Sequence, residues 1–313
     1  MRIEWDTCSV NDWYDIYNRI PRTNIVQSYA YARAMRQLHQ QVTRFGLILS
    51  NTNETLGLVQ MQEINLMNII HRVFIDRGPL WCDPDHATAL DHEFWKTITQ
   101  TYPKRIGRKR RFIPEIQTDH SFQSYLKQLG CKEKGPGYQT IFLDLRPSLK
   151  DIRTALHGKW RNGLNQAEKT KATVHDNGTA CDINLLLMRY NQDRNEKSYR
   201  GADPAFIRAL EKTKTPYEYS FILSVTIAKK DPVAMGYFRI HGRSATYQIG
   251  WINDTGRRNR ANYLLLWQAV KRLKANGIEW LDLGGINPDH AAGVTRFKRR
   301  MNGIEITTPG IYG

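Results

Sequence analysis

The sequence predicts an α/β protein of two domains, each with a mixed central sheet covered by helices. Three observations carry the prediction. The chain has 313 residues, 41% of them hydrophobic, enough apolar surface to bury two ordinary cores. In both halves, short β-branched and aromatic runs alternate with longer amphipathic stretches. The second half then reads hairpin, strand, loop, helix, strand, and the first half follows a loosely similar order of hairpin, strand, helix.

In the first half, Asp12-Trp13-Tyr14 and a turn at Pro21-Arg-Thr-Asn24 precede a helical pattern from Ser28 through Ala30, Ala34 and Leu38. Phe45–Ser50 and Thr55–Gln62 read as strands of a hairpin, because Asn51-Thr-Asn-Glu54 between them has turn chemistry. Val73–Trp81 is a further strand with a Gly-Pro turn at its end, and a helix is expected over about 85–101. Strands at Arg111–Gln117 and Tyr138–Leu145 flank a helix around Ser121–Leu129.

A boundary is expected near Pro147, where a strand gives way to the charged helical stretch Asp151–Lys171. It divides 1–147 from 148–313, the latter carrying the active site and the last residues being free to return to the first domain. Helices around Ile183–Asn195 and Pro204–Thr213 lead to the strands Ser220–Ala228, Ala234–Ile240 and Ser244–Ile249. A loop at Asp254–Arg260, the helix Ala261–Asn276 and the strand Glu279–Leu283 follow.

Several classes of chemistry find no support. No uncharged apolar run is long enough to span a bilayer, and Met1-Arg-Ile-Glu-Trp-Asp6 has no signal-peptide core, so a soluble cytoplasmic protein is expected. Cys8, Cys82, Cys131 and Cys181 form no CxxC pair and are expected to be reduced. His39, His71 and His290 belong to no HExxH pair, no metal site is legible, and neither a P-loop nor a GxSxG elbow is present.

Charge points to a partner. The 46 Lys and Arg against 30 Asp and Glu give a net charge of +16, which favours a polyanion. Basic residues concentrate at Lys104–Arg111, at Arg257–Arg260 and at Arg296–Arg300. Arg257, Arg258, Arg260, Arg296, Arg299 and Arg300 are therefore candidate RNA contacts. Tyr247, Trp251 and Tyr263 near the arginine loop are candidate base-stacking rings.

The most informative stretch is 280–303. Trp280-Leu-Asp-Leu283 reads as a strand end, and Gly284-Gly285 permits backbone conformations and close ligand approach that a Cβ would forbid. A loop and the cationic segment with Phe297-Lys298 follow. Further upstream stand Gln27-Ser-Tyr-Ala-Tyr31, Arg77-Gly-Pro79, and Lys159-Trp-Arg-Asn162 followed by Gln166-Ala-Glu-Lys169. In order and spacing, these motifs together resemble the Fem-type (FemABX) aminoacyltransferases of the GNAT superfamily, with matches spread over most of the chain.

That resemblance implies two GNAT-like domains and transfer of an amino acid from aminoacyl-tRNA to an amine acceptor. It makes Lys298 the cation beside the scissile ester, with Phe297 packed against it, and implies a peptidoglycan precursor as a possible acceptor. A secondary-metabolite intermediate or a protein N-terminus suits the sequence equally well. An ammonium in a dry cleft would stabilise the oxyanion. Asp282 would orient backbone or accept a proton, while Gly284 and Gly285 would border the substrate. Arg194 and Arg200, with Lys197, fall where the family binds acceptor phosphates, and an arginine fork suits that task. Met35 stands where many members carry a phosphate-binding lysine, leaving Arg33 and Arg36 beside it, and Arg36 is taken as a substrate contact. No cofactor is expected beyond aminoacyl-tRNA as co-substrate. Two alternatives remain open: an acyl-coenzyme A dependent N-acyltransferase, although Arg257-Arg-Asn-Arg-Ala-Asn262 lacks pyrophosphate-cradling glycines, and a noncatalytic RNA-binding protein.

Overall fold

Turn chemistry acts where the sequence places it. Asn53 adopts the left-handed φ of 68°, and Ser50 Oγ accepts from the Thr52 and Glu54 amides, closing a hairpin between Val42–Leu49 and Thr55–Leu66. The computed structural model describes residues 1–313 except 68, 178–179, 200, 214 and 229–230 and the side chains of 177, 180 and 181. The chain divides into two compact units, Met1–Gln139 with Ile306–Gly313, and Thr140–Glu305.

The first unit holds an eight-stranded sheet in the order Arg2–Trp5, Val42–Leu49, Thr55–Leu66, Ile70–Gly78, Arg108–Pro114, Ile311–Tyr312, Glu133–Gly135, with Leu80–Trp81 paired to Thr55–Leu66. It is mixed, since Ile70–Gly78 and Arg108–Pro114 run parallel. Helix Ala87–Thr101 presents Phe94, Trp95 and Ile98 to a core shared with Phe112, Phe122 and Trp81. The Gln-Ser and Arg-Gly-Pro motifs meet here. Gln27 Oε1 accepts the Gln60 amide at 2.6 Å and Gln27 Nε2 donates to the Asp76 carbonyl at 2.8 Å, while a Cβ on Gly78 would lie 2.8 Å from the Gln27 amide. The two motifs thus form one buried polar joint.

The second unit holds a seven-stranded sheet in the order Ile304–Thr307, Gln139–Asp144, Trp280–Asp282, Ser244–Ile252, Ala234–His241, Ser220–Ile227, Ala172–Asn177. A parallel pairing joins Ser244–Ile252 to Trp280–Asp282 and stops at Thr246 opposite Asp282. Past that rung the parallel pairing ends. The Leu283 amide donates to Ile141 at 2.9 Å, and Ser244–Ile252 stays with Ala234–His241. There Tyr237 opposes Ile249 and Phe238 opposes Tyr247, leaving Gln248 as the extra residue of a bulge. Helix Ala261–Ala275 buries Leu265, Leu266, Val270 and Leu273 against this sheet.

The structure corrects several element boundaries. The expected helix over 151–171 is two helices, Leu149–Ala155 and Gly158–Glu168. Leu156 and His157 are extended between them, and the His157 ring accepts the Lys159 amide at 3.1 Å, capping the second helix. The loop at 254–260 contains a short helix, Asp254–Arg258, capped by Asn253. The cationic segment near the C-terminus is the helix Ala292–Arg299. Strands Arg2–Trp5 and Ala172–Asn177 escape sequence reasoning.

Candidate active site

The parallel pairing ends at Asp282, and the chain turns there through Leu283, Gly284 and Gly285. Asp282 is fully buried; its Oδ1 accepts from the Gly284 amide at 2.8 Å and from Thr140 Oγ1. The carboxylate therefore holds the turn. Gly284 has φ +75°, and a Cβ there would come within 2.8 Å of the Tyr247 carbonyl oxygen. Only a glycine fits both the dihedral and the approach.

Lys298 reaches this turn from helix Ala292–Arg299. Its Nζ donates to the carbonyls of Gly284 at 3.2 Å and Gly285 at 2.9 Å, with the side chain 9% exposed. Those two bonds leave the ammonium a third N–H. Desolvation pushes its pKa down to about 8, opposed by the Asp282 charge. Phe297, one residue earlier, lies edge-on to Tyr263 at 5.0 Å and tilted against Trp160 at 5.9 Å. Gly163 makes room for this triad, since a Cβ there would sit 2.4 Å from the Tyr263 ring. The Lys-Trp-Arg-Asn motif thus supplies, through Trp160, the wall behind Phe297.

The exposed side of the same helix borders a groove of about 350 Å³ lined by His157, Thr295, Arg296, Arg299, Arg300 and Asn302 among others. Arg299 is engaged bidentately by Glu305 at 2.7 and 2.8 Å. Sequence reasoning misses His157; the one local hint is its place before the Gly158 helix. Arg257 and Arg258 are exposed on the short helix after Ile252, Arg257 paired to Asp254 at 2.6 Å. Arg260 has φ +56° and precedes helix Ala261–Ala275 with no side-chain cap on that helix.

The remaining candidates are placed as follows. Arg194 is in the last turn of helix Ala180–Glu196 and donates to Asn191 Oδ1 at 2.9 Å and the Ala202 carbonyl at 3.2 Å. Arg200 lies outside the described residues. Arg36 is exposed in the last turn of helix Tyr29–His39, in the first unit, with Met35 half-buried beside it. The candidate stacking rings are engaged within the fold: Tyr247 stacks on Phe238 at 5.0 Å and Trp251 lies under Arg189. His71 is buried between Glu63 and Arg108.

Among the described residues no group of three metal-ligating side chains is present, and Cys8, Cys82 and Cys131 are free thiols.

The model of the FemAB family matches residues 212–312, which include the two parallel strands, the glycine turn and Lys298. Among solved structures, FemX aligns over 100% of this chain and 96% of its own at a TM-score of 0.75 and 13% identity. The C-terminal domain (DUF2156) assigned to a lysylphosphatidylglycerol synthetase from Agrobacterium fabrum aligns over 95% and 91% at 0.52 and 13%. A tandem GNAT protein from the clavulanic acid biosynthesis pathway aligns over 99% and 98% at 0.47 and 9%. No curated protein matches the chain. The expected fold class, two α/β units with mixed sheets, is the one observed.

Proposed function

We propose that the protein is an acyltransferase that moves an amino acid from aminoacyl-tRNA to an amine acceptor, forming an amide bond. The observation that carries this is the buried Lys298 ammonium, held by the Gly284 and Gly285 carbonyls with one N–H to spare. With a pKa of about 8, the group is roughly nine-tenths charged at neutral pH. The acceptor nitrogen attacks the ester carbonyl carbon, and the carbonyl electrons move onto oxygen, where the Lys298 N–H donates. Collapse of the tetrahedral intermediate expels the ribose oxygen, which gains a proton as the attacking nitrogen loses one. The ester supplies the driving force, so positioning and charge stabilisation suffice.

Asp282 serves as a positioning residue, because its buried carboxylate is bonded to the turn and to Thr140. Arg296 and Arg300 in the neighbouring groove, with Arg257, Arg258 and Arg260, would follow the RNA backbone. The FemAB match over 212–312 and the FemX fold favour a peptidoglycan precursor as acceptor, with Arg194 and Arg36 as candidate contacts. Dependence on charged tRNA would place the reaction in the cytoplasm; no described helix is long and apolar enough to cross a membrane.

One observation favours a second donor. Helix Ala261–Ala275 begins without a side-chain cap, and such an end suits the pyrophosphate of an acyl-coenzyme A. Both donors are tested together by incubating the protein with an acceptor fraction and either radiolabelled aminoacyl-tRNAs or labelled acyl-coenzyme A. Label passing from tRNA into alkali-stable amide linkage is the expected result. Transfer from coenzyme A alone, or from neither donor, would overturn the assignment.

A further inference from the structure

We propose that the end of the first unit formed by Leu66, Met67, Ile69 and Ile70 at a hairpin tip and by the Arg105–Arg108 turn docks on an anionic lipid bilayer. Five large apolar side chains stand in solvent there: Leu66 at 58% exposure, Met67 at 92%, Ile69 at 70%, Ile70 at 45% and Ile106 at 99%. Single exposed apolar residues need no explanation, but a cluster at one tip does.

The two segments are locked together. The His71 amide donates to the Gly107 carbonyl at 2.9 Å, and Gly107, at φ +80°, approaches so closely that a Cβ would fall 2.0 Å from the Ile69 carbonyl oxygen. Below them, His71 Nδ1 accepts from Arg108 Nε at 3.0 Å and its Nε2 faces Glu63 at 2.7 Å. Arg108 also donates to the Pro103 carbonyl at 2.9 Å. The exposed isoleucines therefore stand on a hydrogen-bonded platform.

Charge identifies the occupant. Lys104 and Arg105 are exposed immediately before Ile106, and Arg72 and Lys109, opposite each other in register, are exposed two rungs behind Ile70. Neither 64–75 nor 103–114 contains an acidic residue. Apolar tips that enter the acyl region, backed by cations at headgroup height, match the two chemistries of an anionic bilayer. An RNA backbone would engage the cations but gain nothing from Met67, Ile69 and Ile106. This basic run is also separate in sequence from the arginines assigned to tRNA above.

The test is sedimentation of the full chain with vesicles of phosphatidylcholine containing phosphatidylglycerol, and with phosphatidylcholine alone. The expected result is salt-sensitive binding to the anionic vesicles, with binding to neutral ones weaker by at least about tenfold. Combined Met67→Ser, Ile69→Ser and Ile106→Ser should lower anionic-vesicle binding by at least roughly tenfold and leave tRNA affinity unchanged. Arg105→Gln with Lys109→Gln, which keeps the apolar tip, should cost about fivefold per cation. All five positions are exposed, and unfolding midpoints check that the variants fold. Absence of anionic-vesicle binding, undiminished binding by the serine variant, or a parallel loss of tRNA affinity in it would each overturn the proposal. Vesicle binding needs no acyl transfer, so its failure is distinguishable from failure of the enzymatic assignment.

Discussion

The Lys298 ammonium lies 2.9 Å from the Gly285 carbonyl oxygen, joining helix Ala292–Arg299 to the turn that follows strand Trp280–Asp282. Burying an ammonium is costly, and two carbonyls with the nearby Asp282 carboxylate offset that cost only in part. The residue of the penalty is visible as the lowered pKa. A group kept at this expense invites tests that separate function from stability.

Lys298→Met should reduce turnover by about 100- to 1000-fold, the loss typical of removing one oxyanion donor. The substitution removes a desolvated charge but leaves the buried Asp282 carboxylate without its cation and two carbonyls without their donor. The urea midpoint at neutral pH should therefore fall, by about 1–3 kcal/mol in stability. A collapse of stability well beyond that would show that the lysine is structural.

The pH dependence follows from the same group. Transfer should fall as pH rises through about 8, where Lys298 loses its proton, and Lys298→Arg should move that limb upward. Stability has the opposite sign. The native state releases the proton near 8 whereas the unfolded chain holds it up to about 10.5, so the unfolded state binds more protons between those values and stability rises with pH across that window. Urea midpoints measured across it should climb in the natural protein and climb less in Lys298→Met.

Asp282→Asn should shift the alkaline limb of the rate profile below 8, since the carboxylate charge is what raises the Lys298 pKa against desolvation. A rate loss at every pH without movement of the limb would mean that Asp282 acts only through the turn.

Two glycine substitutions should differ in sign. Gly284→Ala places a Cβ at positive φ and 2.8 Å from the Tyr247 carbonyl oxygen, and should cost about 1–3 kcal/mol together with most of the activity. Gly293→Ala, inside the helix that carries Lys298 and with nothing within 4 Å of its Cβ, should stabilise by roughly 0.5–1 kcal/mol. Thermal unfolding of both variants checks the pair.

Arg296→Gln combined with Arg300→Gln should weaken tRNA binding and flatten its salt dependence, by about 0.7–0.9 in log-log slope for each phosphate that is no longer neutralised. Fluorescence titrations at several salt concentrations read the slope directly.

The hairpin through Asn51–Glu54, the helix from Ala261 and the strand before Gly284 are legible in the sequence because their signals are local: turn residues, periodicity and an apolar run. Arg2–Trp5 and Ala172–Asn177 are not, since each is a short edge strand whose pairing partner lies far along the chain. The break at Leu156–His157 is hidden because a histidine cap leaves little trace in composition. Within the site, Asp282, the two glycines, Phe297 and Lys298 are near neighbours in sequence and can be singled out together. Thr140, Trp160, Tyr247 and Tyr263 reach them only through the sheet and the helix packed on it.

The sequence by itself determined the two-part α/β organisation, the excess of positive charge and the glycine turn followed by a lysine, all of which depend on residue identity and short-range order. Tertiary structure decided what state that lysine is in and which apolar residues remain in solvent. Desolvation of Lys298 arises from walls contributed by distant segments, and the exposure of Met67 and Ile106 follows from two loops meeting at one end of a sheet. Burial is a property of packing density around a group, which no stretch of sequence contains on its own.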